Sequence, residues 1–211
     1  MKAYAVKEVY YTLQGEGANA GRPAAFVRFS GCNLWSGRDA DRGNGPGPCS
    51  AWCDTDFVGT GGPNGGRYHA AALAAKAAEA WGAGRAGRFA VLTGGEPMLQ
   101  VDAVLIDALH RFGFEVAVET NGTRPVPDSV DWITVSPKPG TEVVQRRGQE
   151  LKLVHPQDGV DPADFLGWSF GRFYLQPLDG REGSAAEAAR YCLAHPPWRL
   201  SVQAHKLLGL P

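Results

Sequence analysis

The sequence predicts an α/β domain built on a mainly parallel β-sheet of about six strands. Short apolar segments alternate with helix-forming segments along the chain, and polar or glycine-rich turns close most of them. Strands that alternate with helices usually form parallel sheets with right-handed crossovers. A chain of 211 residues fits one large domain, and no repeat or linker divides it. We therefore predict a single domain over residues 1–211.

Six segments are predicted as strands because they are short, apolar and bounded by turn-forming residues. They are Ala24–Phe29, Phe89–Leu92, Phe114–Val118, Trp132–Val135, Leu151–Val154 and Phe173–Leu175, with Leu200–Val202 as a candidate seventh. Three helices are predicted from alanine content, helical spacing of apolar residues and a Ser184/Glu187 capping box, respectively. They are His69–Trp81, Met98–Phe112 and Ser184–Ala194. Three crossovers lack a full helix.

The composition is that of an ordinary soluble globular protein, with 44% hydrophobic and 20% charged residues and a net charge of −1. No run of Lys or Arg indicates a nucleic-acid partner. Residues 1–11 do not resemble a secretory signal, and no apolar stretch is long enough to cross a bilayer. We expect a cytoplasmic protein with no membrane partner. Disulfides rarely persist there, so the four cysteines need another role.

Polar residues follow nearly all of the predicted strands at the point where each strand ends. Ligands of α/β sheets bind beyond these carboxyl ends, so we expect the polar residues to share one site. The residues concerned are Cys32, Thr93–Glu96, Glu119, Asn121, Ser136, Lys138 and Gln176.

Three cysteines predict a metal centre. Cys49 and Cys53 lie within one turn of each other, and Cys32 stands sixteen intervening residues upstream. Thiolates suit zinc or iron–sulfur clusters. A zinc site completed by His69 is one alternative, and three unrelated buried thiols are another. Cys192 is expected to be a small core residue.

Two features favour iron over zinc. Iron–sulfur clusters usually take four cysteines, so three thiolates without an obvious fourth leave one iron open for a ligand. In addition, a Gly94–Pro97 turn follows the next predicted strand, beside the cysteine loop.

An ordered set of motifs along nearly the whole chain resembles the 7-carboxy-7-deazaguanine synthase family of the radical S-adenosylmethionine (SAM) superfamily. The motifs are Thr12–Gly17, Phe26–Leu34, Trp52–Thr55, Leu92–Pro97, Glu119–Gly122 and Ser136–Lys138. One departure is clear, because the superfamily usually separates its cysteines by three and then two residues. The insertion Ser36–Pro48 is polar and rich in Gly and Pro, and such loops lengthen at small entropic cost. We interpret residues 32–66 as an enlarged cluster loop.

The resemblance implies a partial six-stranded parallel barrel with few helices. It also implies a [4Fe–4S] cluster on Cys32, Cys49 and Cys53, and SAM bound to the open iron. The positions that match the family's SAM contacts are Trp52, Asp54, Gly94, Gly95, Glu96, Ser136, Pro137, Lys138, Gln176 and Pro177. A flavodoxin- or ferredoxin-type electron donor and a homodimer are further expectations from the resemblance.

The implied reaction begins with a 5′-deoxyadenosyl radical that removes hydrogen from C6 of 6-carboxy-5,6,7,8-tetrahydropterin. The ring contracts and releases ammonia, giving 7-carboxy-7-deazaguanine for 7-deazapurine (queuosine) biosynthesis, and SAM is regenerated. The expected substrate contacts are Leu13, Gln14, Gly15, Glu16, Arg28, Thr93, Glu119, Asn121, His205 and the carboxylate of Pro211, in an apolar C-terminal tail that we expect to be tucked in. Thr55 is implied as a ligand of Mg²⁺.

Several of these positions also have simpler interpretations. Arg28 suits a carboxylate because guanidinium binds it in a fork. The alternative is a surface salt bridge, which its position inside a strand ending at the cluster disfavours. Glu16 could be a solvated loop charge, Thr55 a turn residue and His205 a surface histidine. For the whole chain, the rival functions are a radical SAM activase that acts on a partner protein and a zinc-stabilised binding module.

Overall fold

A nine-stranded, mostly parallel sheet forms the centre of the protein in the computed structural model, which describes residues 2–44 and 47–211. Within those residues the strands are β1 (Tyr4–Leu13), β2 (Pro23–Phe29), β3 (Gly66–Tyr68), β4 (Phe89–Gly94), β5 (Glu115–Thr120), β6 (Trp132–Val135), β7 (Arg147–Gly148), β8 (Glu150–His155), β9 (Ser169–Phe170), β10 (Phe173–Pro177) and β11 (Trp198–Leu200). The helices are α1 (Ala70–Trp81), α2 (Ala103–Arg111), α3 (Ser184–Ala194) and α4 (Ala204–Leu208).

The strand order along the sheet is β11-β10-β8-β6-β5-β4-β2-β1-β3. The strands from β2 to β11 in this order are parallel to their neighbours, whereas β1 runs antiparallel to β2 and to β3. The six predicted strands are consecutive neighbours in this parallel part. The sheet is open, since β11 and β3 end it, and it is larger than the six strands predicted. Strands β7 and β9 form a separate two-stranded sheet.

Strand β1 was not predicted from the sequence. Its buried residues are Tyr4, Val6, Val9 and Thr12, and the pairing register shifts between Val6 and Glu8. Such a bulge breaks the two-residue alternation by which a half-buried strand is recognised.

The start of α2 and the N-terminal cap of α3 differ from the prediction. Helix α2 begins at Ala103 instead of Met98, because Asp102 caps it and Pro97–Leu99 forms a separate 3₁₀ turn. The predicted capping box of α3 does not form. Gly183 is its N-cap, and the Ser184 hydroxyl donates instead to the Leu178 carbonyl, 2.8 Å away.

The helices cover an apolar core at two places. Helices α1 and α2 pack on each other and on β1, β2 and β5, whereas α3 packs on β8, β10 and β11. Among the described residues, no helix is long and apolar enough to cross a membrane. This arrangement leaves the loops at the carboxyl ends of the parallel strands free to build a site.

Candidate active site

A cavity of about 420 Å³ lies at the carboxyl ends of the parallel strands. Its walls include residues that end or follow β2, β4, β5, β6, β8 and β10. Of the residues predicted to form the site, all but Glu96, Pro137 and Pro177 line this one cavity. The sheet therefore gathers residues that are distant in the sequence, as expected for the carboxyl edge of an α/β sheet.

The three predicted cluster cysteines share this cavity. Cys32 follows β2, and Cys49 and Cys53 belong to one turn in which the Cys53 amide donates to the Cys49 carbonyl, 2.8 Å away. Burial raises the pKa of the Cys32 thiol and raises that of Cys49 to about 11. Their thiolates would need a nearby positive charge such as that of bound iron, and metal binding releases the thiol protons.

The described side chains are not assembled as ligands of a single metal ion. In the described part of the chain, no three His, Cys, Asp or Glu side chains are placed to hold one metal ion. Each cysteine of a [4Fe–4S] cluster binds a different iron, so the thiols need only surround the cluster. His69, the alternative zinc ligand, lies outside the cavity lining at the start of α1, where its Nδ1 is 2.9 Å from the Lys2 carbonyl oxygen.

The turn after β4 packs directly against the cysteine loop. The Gly95 amide lies 3.3 Å from the Phe29 carbonyl, and the Glu96 amide donates to the Gly31 carbonyl at 2.9 Å. A Cβ on Gly95 would overlap the Gly31 carbonyl and lie 2.8 Å from the Cys32 Cβ. Glycine at position 95 therefore permits the close approach that brings this turn beside the cluster cysteines.

We expect Gly95→Ala to destabilise the protein by about 1–3 kcal/mol, because the added methyl group forces the cysteine loop away from the turn. The free energy of unfolding, measured by urea titration without iron, tests this. Gly167→Ala is the matched control, since nothing lies within 4 Å of a Cβ there. Equal stability of the two variants would contradict the close packing.

Glu96 supports the turn from beneath it, and its side chain does not line the cavity. Its buried carboxylate accepts hydrogen bonds from the Met98 amide at 2.9 Å, the Thr120 hydroxyl at 2.7 Å and the Asn121 amide at 2.7 Å. Burial raises its pKa. The carboxylate thus ties the end of β5 to the end of β4.

Arg28 lies inside the cavity and is half-buried. Its Nε donates to a Glu8 carboxylate oxygen at 2.7 Å, and its Nη2 donates to the Tyr10 hydroxyl at 2.9 Å. The salt bridge considered from the sequence is therefore present, but in the cavity wall. Tyr10 stacks on Phe26, with ring centroids 5.4 Å apart, and both rings line the cavity. Glu8, Tyr10 and Phe26 were not predicted.

Lys152 is the most buried charged residue of the cavity wall, and the sequence analysis missed it. It lies in β8, its side chain is 5% exposed, and its ammonium pairs with Glu16 and with Glu119, the latter at 3.2 Å. Glu16 is thus a half-buried partner in an ion pair, and its interpretation as a solvated loop charge is wrong. The available signal was a lysine between two leucines of a buried strand.

The C-terminal segment closes one side of the cavity. The Ala204 amide donates to the Gly15 carbonyl at 2.9 Å, and His205 and Pro211 line the cavity. The Lys206 ammonium lies 2.6 Å from both Asp54 and Asp179. The tail is tucked in only partly, because the Leu207 and Leu208 side chains are exposed.

The remaining predicted residues lie as follows. Lys138 donates to the Ser136 hydroxyl at 2.6 Å, and burial lowers its pKa. Asn121 donates to the side-chain oxygen of Asn33 at 3.0 Å, which joins the end of β5 to the cysteine loop. Thr55 is half-buried in the cavity wall, whereas Pro177 pairs with His155 at the end of β10.

Comparisons with known proteins give full-length matches. The chain is 60% identical over 211 residues to a 7-carboxy-7-deazaguanine synthase from Bradyrhizobium diazoefficiens and 56% identical over 211 residues to one from Burkholderia multivorans, covering 99% of each chain in both cases. It is similar to the crystal structure of QueE from Escherichia coli, with a TM-score of 0.68, 26% identity and coverage of 96% and 95% of the two chains. No protein-family model matches.

Proposed function

Since this chain belongs to the 7-carboxy-7-deazaguanine synthase family, we propose that it converts 6-carboxy-5,6,7,8-tetrahydropterin to 7-carboxy-7-deazaguanine and ammonia. It is a radical SAM enzyme of queuosine biosynthesis. The observation that carries the substrate assignment is that three cysteines, a glycine turn, an arginine and two carboxylates line one cavity. A cluster, a cofactor and a small anionic substrate would each find suitable partners there.

One side of the cavity is assigned to the cofactors. Cys32, Cys49 and Cys53 would hold the [4Fe–4S] cluster, and the backbone of Gly94 and Gly95 would bind the amino group of SAM. Further SAM contacts are proposed for Trp52, Asp54, Glu96, Ser136, Pro137, Lys138, Gln176 and Pro177. Glu96, Pro137 and Pro177 do not line the cavity, so they would act through their backbone or by supporting residues that do. When bound, the cluster and SAM supply a radical that takes hydrogen from C6 of the substrate, and SAM is regenerated.

The other side is assigned to the substrate. Arg28 would bind the substrate carboxylate. Glu8 and Tyr10 engage only two of its five N–H donors, so three remain for the carboxylate. The pterin edge carries an amino group and a ring N–H, which need acceptors. Those acceptors would come from Glu16, Glu119, Gln14, the backbone of Leu13 and Gly15, and Pro211, with Thr93, Asn121 and His205 adding contacts. Thr55 would give its hydroxyl to a Mg²⁺ that the substrate carboxylate also binds.

The wider assignments follow the family resemblance. We propose a cytoplasmic homodimer that receives electrons from a flavodoxin or ferredoxin. The six central parallel strands would curve into a partial barrel around the cofactors.

The decisive experiment is anaerobic turnover of iron-reconstituted protein with SAM, a reductant, Mg²⁺ and 6-carboxytetrahydropterin, followed by mass spectrometry. We expect a product lighter than the substrate by one ammonia, with SAM not depleted. Formation of 5′-deoxyadenosine without this product would reject the substrate and favour an activase. Colourless protein that takes up zinc but no iron would favour a binding module.

A further inference from the structure

Lys152 lies between two carboxylates that the proposed function assigns to the substrate. Its ammonium pairs with Glu16 and lies 3.2 Å from the nearer carboxylate oxygen of Glu119. The exposed fraction of the Lys152 side chain is only 5%, so water solvates the charge poorly. Removing an ammonium from water is unfavourable unless opposite charges and hydrogen bonds compensate it. Lys152 and the two carboxylates therefore stabilise one another.

Neutral donors fix the carboxylates on their other oxygens. Glu16 Oε1 accepts from the amides of Gln176 at 3.2 Å and Gln203 at 3.1 Å, and Glu119 Oε1 accepts from Gln14 at 2.7 Å. A carboxylate offers about four acceptor positions. The described contacts of Glu119 occupy two of them, so this carboxylate has capacity for donors of a ligand.

The backbone that carries Glu16 is also held in place. Gly17 has a φ of +64°, which favours glycine, and a Cβ there would overlap the Glu150 carboxylate. The Gly17 amide donates to the Ser201 hydroxyl at 2.9 Å, and the Ala18 amide donates to Glu150 at 2.7 Å. The loop thus presents Glu16 to Lys152 from a fixed position.

The charges around this group favour its ionised state. Burial by itself would raise the pKa of Glu16, but the attraction of Lys152 lowers that pKa to about 2. Burial would likewise lower the pKa of Lys152, but Glu119 and Glu16 raise it. The other charged groups that face the pair are Glu150, Lys138 and His205.

We propose that Lys152 is a positioning residue that keeps Glu16 and Glu119 charged and at a fixed separation, as acceptors for the amino group and ring N–H of the pterin. This inference rests on the proposed function and adds to it the residue that organises the acceptors. A cation here lets two carboxylates stand side by side without repelling each other or the negatively charged substrate.

The test compares Lys152→Met with Lys76→Met, which breaks a surface ion pair with Glu79 on α1. The dissociation constant of 6-carboxytetrahydropterin is measured anaerobically between about pH 6 and pH 8.5, with SAM present. In Lys152→Met, we expect affinity to fall at least about tenfold at neutral pH and to weaken further as pH falls. The reason is that, without the charge of Lys152, burial raises the pKa of Glu16, and protonation of Glu16 removes an acceptor for the pterin. The unmodified enzyme and Lys76→Met should show no such pH dependence.

Two further measurements separate this role from simple loss of structure. SAM affinity should stay within about twofold in Lys152→Met, and Lys152→Arg, which keeps the cation, should restore the flat pH profile. Unchanged pterin affinity in Lys152→Met at every pH would overturn the inference while leaving the proposed function intact. An unmodified enzyme that fails to bind the pterin would overturn both.

If Lys152→Met does not fold, the unmodified protein still provides a test. The carboxyl ¹³C resonance of Glu16, assigned with Glu16→Gln, should remain at its ionised position from about pH 8 down to about pH 5. Protonation of Glu16 within that range would overturn the inference.

Discussion

Replacement of Cys53 by serine is expected to abolish synthase turnover, with a loss of at least about 10³-fold, or about 4 kcal/mol. Only Cys32 and Cys49 would remain in the cavity as thiolate ligands, and a hydroxyl is a poor ligand for iron compared with a soft thiolate. Iron and sulfide content after anaerobic reconstitution, visible absorbance and product formation measure the effect. We expect the three readouts to fall together.

Cys192→Ser is the matched control for this experiment. Cys192 is a half-buried residue of α3 that lies outside the cavity lining, so the same chemical change should leave iron content and turnover close to their original values. An iron-free Cys192→Ser protein, or full turnover by Cys53→Ser, would contradict the assignment of the cluster ligands. The comparison also guards against a general effect of losing a thiol.

Much of the sheet could be predicted because its central strands are buried on both faces. Phe89–Leu92 is therefore a continuous apolar segment bounded by turns, which is the pattern expected in parallel sheets, and Leu151–Val154 departs from it only at Lys152. Strand β1 differs because it runs antiparallel and carries a bulge at Lys7. Its charged residues serve the cavity and the loops around it. The bulge and the charged positions interrupt the two-residue alternation on which the prediction depended.

The site could be predicted where its residues follow strand ends, since that edge is determined by topology. Cys32, Ser136 and Lys138 belong to this class. Lys152 could not be predicted in this way, because its role depends on ion pairs with Glu16 and Glu119, which lie 136 and 33 positions away in the chain. A buried ion pair between distant segments leaves no local pattern. The only available sign was a charge within an apolar strand.

Replacement of Arg28 by methionine is expected to lower kcat/KM by about 10²- to 10³-fold, or about 3–4 kcal/mol. Hydrogen bonds to a charged group each contribute about 1.5–3 kcal/mol, and a guanidinium offers two to a carboxylate. We expect most of the loss in the dissociation constant of the substrate, with SAM affinity unchanged. Arg147→Met is the control, since Arg147 is exposed and pairs with Asp128 away from the cavity.

A substrate analogue makes this test specific for the carboxylate. Tetrahydropterin without the 6-carboxyl group should bind the unmodified enzyme more weakly by a factor similar to that of the mutation, and Arg28→Met should not discriminate between the two ligands. Such non-additivity is the signature of a direct interaction between two groups.

If Arg28→Met still preferred the carboxylated ligand by the full factor, Arg28 would act only through Glu8 and Tyr10. The double variant Glu8→Gln/Arg28→Met removes the Glu8 charge that Arg28→Met leaves unpaired. If Arg28 acts only indirectly, this double variant should recover the substrate affinity lost in Arg28→Met. If Arg28 contacts the carboxylate directly, it should not.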